Sequence, residues 1–136
     1  MNVNRICVFR VMPDKELVHS IGQYCKSNRI TSAVVEGIIG SLRSIKLGFL
    51  KELPGKFKTK DLQGPLEIVC AQGTIAKCQG EFALHIHILV SDENHAIGGH
   101  LIEASVFSTA EIVLAQLDQQ ITRRFDDYTG LKELQE

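Results

Sequence analysis

Hydrophobic and polar positions change their period once along the chain. Near the N-terminus Ile6 and Val8, followed by Val11, predict a first strand. Leu17, Val18, Ile21, Tyr24 and Cys25 then recur at the three- and four-residue spacing of one helix face. Pro13-Asp14 offers the start of that helix, with Asp14 and Glu16 in its first turn, and Ser27-Asn28 its stop, asparagine tolerating left-handed backbone. From residue 31 onward short β-branched runs take over: Ser32 to Ile38, Ser44 to Leu50, Leu66 to Ala71, Thr74 to Cys78, Phe82 to Val90, Ala96 to Phe107 and Ala110 to Leu117. Glycines at 37, 40, 55, 64, 73 and 80 punctuate them as hairpin turns and bulges do. The pattern predicts an α+β chain, mostly antiparallel sheet with one amphipathic helix. It also predicts one substantial lysine-rich loop, Glu52 to Gly64, and, over Arg123 to Glu136, a turn and a weakly determined tail.

No linker, repeat or low-complexity tract divides the 136 residues, so a single domain, 1–136, is expected. Fifteen basic against sixteen acidic residues leave a formal charge of −1, which offers no overall attraction to a phosphate backbone or an anionic membrane. The four cysteines, Cys7, Cys25, Cys70 and Cys78, form no C-x-x-C pair and sit in apolar or mixed runs, as reduced, buried thiols do. No apolar stretch approaches a signal-peptide core or a membrane span, so a cytoplasmic location with no membrane partner is expected.

The chemistry concentrates in Leu84-His85-Ile86-His87-Ile88-Leu89-Val90, then Ser91-Asp92-Glu93-Asn94-His95, then Ala96-Ile97-Gly98-Gly99-His100-Leu101. Alternate residues of a strand share a face, so His85 and His87 project together while Leu84, Ile86, Ile88 and Val90 project to the core. A two-residue turn at Glu93-Asn94, with Asn94 at positive φ, sets His87 opposite His100, His85 opposite Ile102 and Leu89 opposite Gly98. Opposed side chains have Cβ atoms about 4.5–5.5 Å apart, so three imidazoles converge on one ion or small anion. Gly98 and Gly99 are expected to leave open space beside them.

Such histidines also occur as hydrogen-bonded residues of a half-buried face or at a subunit interface, and the residues alone leave both readings open. A metal on His85, His87 and His100 would keep a fourth position free, as catalytic zinc does. Glu67, Glu103 and Glu111 are candidate further ligands or bases, although solvated carboxylates are their ordinary role, and Cys70 and Cys78 lie on strands that could join them. His19, on the helix, and His95, beside the turn, carry no such expectation.

Four segments together resemble the PPC (plants and prokaryotes conserved) domain family. They are the histidine block through Gly98-Gly99-His100-Leu101, Gly37-Ile38-Ile39-Gly40-Ser41, Gly64-Pro65-Leu66-Glu67-Ile68-Val69 and Thr109-Ala110-Glu111. The tail, Arg124 to Leu131 with Thr129-Gly130, is similar to that of bacterial stand-alone members. The resemblance implies a curved, mostly antiparallel sheet with one or two helices, assembled as a homotrimer. It also implies an inherited association with DNA or protein partners, since in plants the domain follows AT-hook motifs. This chain has no Arg-Gly-Arg-Pro core, and Pro65 and Leu66 stand where the plant segment has arginine and phenylalanine.

Two functions therefore compete, with a purely structural trimer as the third reading. One is a trimeric regulatory or interaction module whose DNA contact would rest on Lys51, Lys56, Lys58 and Lys60, set against Glu52 and Asp61. The other is a metal-dependent protein or enzyme, zinc being the natural ion, that uses His85, His87 and His100 to hold a small ligand at a subunit interface. The trimer also follows from apolar strand residues, Ile45, Leu47, Phe49, Ile112 and Leu114, that exceed what one helix can cover.

Overall fold

The computed structural model describes residues 1–135. Strand β1 (Val3–Val11) leads to helix α1 (Leu17–Ser27), and long strands follow: β2 (Ala33–Glu52), β3 (Lys56–Cys78), β4 (Glu81–Ser91) and β5 (Ala96–Leu117). A short hairpin, β6 (Arg123–Asp126) and β7 (Leu131–Leu134), ends the chain. Mostly antiparallel sheet with a single helix is as the periodicity predicts. Several of the separate runs, however, are continuous strands: 32–38 and 44–50 join as β2, and 96–107 and 110–117 as β5. At these joins the ladder shifts register without ending. One such shift lies at Gly40, whose φ is 154° and whose added Cβ would meet the Thr109 carbonyl oxygen at 2.0 Å.

The five-stranded sheet has the order β1-β5-β2-β3-β4, and β4 also pairs with β5, so β2, β3, β4 and β5 close into a ring. Closure changes what is buried. Ile45, Leu47, Ile112 and Leu114, expected to need a second subunit, lie at 2% exposure or less within one chain because the curved sheet covers itself. The apolar side chains left in solvent are others, among them Ile6, Val8, Ile39 and Val69. Helix α1 packs Leu17, Ile21 and Cys25 into the core, and Tyr24 stacks on Phe9 of β1 with ring centroids 3.6 Å apart.

The helix begins later than Pro13 and has no acid in its first turn. Glu16 is its N-cap, accepting from the Val18 and His19 amides, and it also accepts from Ala104 N of β5 at 3.0 Å. One carboxylate thus satisfies helix donors and a strand donor together. At the other end Arg29 (φ 56°), not Asn28, takes the left-handed backbone. The expected loop from 52 to 64 is a hairpin: its turn is confined to the residues around Pro54 and Gly55, and Lys56, Lys58 and Lys60 stand on β3. The alternation of Lys56-Phe57-Lys58-Thr59-Lys60 is strand-like, but its polarity reads as a loop. Cys70 is exposed, unlike the other three thiols.

Gly73 of β3 runs so close to β4 that an added Cβ would lie 2.1 Å from the His85 carbonyl oxygen. Gly73→Ala should therefore cost about 3 kcal/mol through forced displacement of the strands. Gly22→Ala, in the helix with nothing within 4 Å of the new methyl, should instead stabilise by roughly 0.5–1 kcal/mol. Urea midpoints of the two variants check both signs.

Candidate metal centre

Strand β4 alternates as its sequence requires: Ile86, Ile88 and Val90 are buried, while His85 and His87 face outward. The β4–β5 ladder pairs His87 with His100, Leu89 with Gly98 and Ser91 with Ala96, which is the expected register. The turn is made differently from the expectation. Asn94 is not at positive φ; the Asp92 carboxylate accepts from the Asn94 and His95 amides, both at 2.8 Å, and Asp92 N donates to the His95 carbonyl. His85 does not face Ile102, because β5 leaves β4 at His100, where it pairs with Gly48 of β2, and His85 instead pairs with Thr74 of β3. Nor do Gly98 and Gly99 leave open space. Phe49 packs over Gly99, and the Ile88 carbonyl lies 3.2 Å from where a Cβ of Gly98 would be.

The three imidazoles nevertheless meet. One ring nitrogen from each of His85, His87 and His100 lies within 4.8 Å of the others, and the ring centroids are 5.0–5.6 Å apart. The Nε2 atoms of His85 and His87 are 3.2 Å apart. That is close to the roughly 3.3 Å between two nitrogens bound tetrahedrally at about 2.0 Å to one zinc ion, so this pair has the spacing a metal would need. Glu67, Glu103 and Glu111 do not join it among the described residues, nor do Cys70 and Cys78. Glu103 pairs with Lys46 at 3.4 Å, and Glu111 lies opposite Arg10 on the far part of the sheet. His19 and His95 also lie outside the cluster.

The histidines line a cleft of about 900 Å³ with walls from three places. Phe57 and Leu50 come from the β2–β3 hairpin, Phe82 and Leu84 from β4, and Arg123, Phe125 and Leu131 from the tail hairpin. The tail is the part that pattern reading missed. Its strands are four residues each and together more than half charged, too little apolar pattern to register as sheet. The available signal was the turn chemistry between Phe125 and Leu131: Asp126 accepts from Thr129 N at 2.8 Å, and Gly130 has φ 69°. Gly55 N donates to the Thr129 carbonyl at 2.8 Å, docking the tail on the β2–β3 tip. Arg123 donates to Thr74 Oγ1 at 2.8 Å and to the Lys132 carbonyl at 2.9 Å, and reaches within 3.4 Å of His85 Nδ1.

Burial holds the His85 pKa below the ordinary imidazole value, and the nearby Arg123 guanidinium and His87 add to it; burial followed by His85 and His87 does the same for His100. Both shifts favour the neutral imidazole, the form in which the ring binds a metal.

The sequence profile of the Plants and Prokaryotes Conserved (PCC) domain matches residues 1–118. Among solved structures, a metal-containing protein from Archaeoglobus fulgidus is 30% identical with a TM-score of 0.90, over 99% of this chain and 96% of that chain. A plant- and prokaryote-conserved protein from Pyrococcus horikoshii is 29% identical with a TM-score of 0.89, over 99% and 94%. A protein from Bacteroides thetaiotaomicron named as a candidate DNA-binding protein shares the fold at 23% identity, with a TM-score of 0.90 over 99% and 94%. No curated protein matches the chain by sequence.

The lowered imidazoles give a pH dependence. Above the unfolded value of 6.5 neither state binds the protons, and as pH falls below it the unfolded chain takes them up first. Stability of the chelated, metal-free protein should therefore fall as pH drops from 7.5 toward 5.5, and level off below the depressed native values. Urea midpoints of wild type and His85→Gln/His100→Gln across this window check it, the decline being shallower in the variant.

Proposed function

The chain belongs to the Plants and Prokaryotes Conserved (PCC) domain family, and from this premise we propose that it is a metal-dependent protein that holds a small molecule in the histidine cleft. The observation that carries the proposal is the convergence of three imidazoles in the lining of that cleft. His85, His87 and His100 would hold a divalent transition metal, zinc suiting an all-nitrogen donor set, with no fourth protein ligand nearby among the described residues. Such an ion supplies Lewis acidity at its open position. The metal-containing relative supports this reading.

The same reading places the chain in a homotrimer. Val8 lies opposite Val113, which lies opposite Gly37, and Ile39 shares the Gly37 side of β2. Val8 and Ile39 are 67% and 66% exposed, so this row leaves apolar surface for a second copy to cover. DNA contact through the β2–β3 hairpin is the weaker reading. Lys56 is paired with Glu52 at 2.9 Å, and at a net charge of −1 any duplex affinity should fade steeply with salt.

Metal analysis of the purified, untagged protein tests the proposal. About one equivalent of zinc per chain is expected, lost in the His85→Ala/His87→Ala/His100→Ala variant. Metal-free wild type would overturn the metal reading, and light scattering of the same sample as a stable micromolar monomer would remove the trimer.

A further inference from the structure

We infer that the occupant of the cleft is a small organic acid, its carboxylate held by Arg123 and its apolar part lying against Phe57, Phe82 and Phe125. This rests on the reading of the histidine cleft as a ligand site and adds the class of ligand. The first observation is the state of Arg123. Its Nε is buried and has no hydrogen-bond partner among the described residues, although both Nη atoms are engaged. Burying an unpaired guanidinium N–H is costly, and none of the ion pairs among the described residues includes Arg123. Arg123 lines the cleft and forms no ion pair among the described residues, so an anion bound there would become its charge partner.

The second observation is the balance of charge around the cleft. Lys51, Arg123 and Lys132 line it against a single acid, Glu133. The potential thus favours an anion even before any metal is counted. The third is the apolar surface left open there. Phe57 is 43% and Phe125 57% exposed, on two different hairpins that meet at the cleft, and Phe82 lines it from β4. Inorganic phosphate would satisfy the guanidinium but leave these rings in water. A carboxylate on an apolar body satisfies both, its charge turned to the guanidinium and its body to the rings.

The test is calorimetric titration of zinc-treated protein with 3-phenylpropionate, its neutral amide, acetate and inorganic phosphate, on wild type and Arg123→Gln. Wild type should bind the phenyl acid at least roughly tenfold more tightly than the other three. Arg123→Gln should lose about that factor for the acid and almost nothing for the amide. An amide, acetate or phosphate that binds as tightly as the acid overturns the inference, as does no detectable binding of the acid at millimolar concentration or an unchanged affinity in Arg123→Gln. The acid–amide comparison in wild type decides the matter even if the variant fails to fold, since Arg123 also ties β6 to β3. Zinc content measured on the same samples separates the two readings. Discrimination without zinc keeps the acid site and removes the metal, and zinc without discrimination removes the acid site alone.

Discussion

The pairing of His87 with His100 is the contact on which the rest depends. At that rung β5 is shared between two partners, His87 on β4 and Gly48 on β2, and there the sheet closes into a ring. Closure lets a chain with a single eleven-residue helix bury its aliphatic strands without a second layer. The same rung decides the chemistry. Slipping β5 by one residue would turn His100 toward the side of Ile86 and Ile88, and leaving an imidazole unpaired there would cost about 1–3 kcal/mol. Core packing and site assembly are thus one constraint on register.

Around that rung the site is built from parts with different roots in the sequence. The histidines stand on a rigid ladder, buried on its inner side by Ile86, Ile88 and Val90. The cations and aromatic rings facing them come from the β2–β3 hairpin and from the tail, tied to each other through Gly55 and Thr129. This division suits a binding site: the imidazoles that would hold a metal rest on the most constrained strands, while the groups that would select a ligand sit on hairpins at the edge. Arg123 joins the two sets through Thr74 and His85.

Much of this was legible from residue order alone. Period-two alternation in β4 places His85 and His87 on one side, and the Asp92-Glu93-Asn94-His95 turn sets the register that brings His100 across. The resemblance to the PPC family rests on the same block, and the family profile covers residues 1–118. What could not be read depends on contacts between distant segments. Glu16 has the composition of a first-turn acid, yet it caps the helix while accepting from Ala104 on β5. Lysines at 56, 58 and 60 read as loop because polarity masks a strand that pairs with β2 from Lys56 onward. Ile102 was expected beside His85, but a departure of β5 toward β2 leaves no mark in local periodicity. Arg123 has no motif at all, and its importance comes from docking a short hairpin onto the cleft.

The central claim is that closure of the sheet assembles three imidazoles into one metal centre. Anomalous diffraction at the zinc edge from crystals of the zinc-loaded protein tests it most directly. One anomalous peak per chain is expected, bonded to a ring nitrogen of each of His85, His87 and His100 at about 2.0–2.1 Å. A zinc ion seated on other residues, or the three rings bare in zinc-soaked crystals, would contradict it.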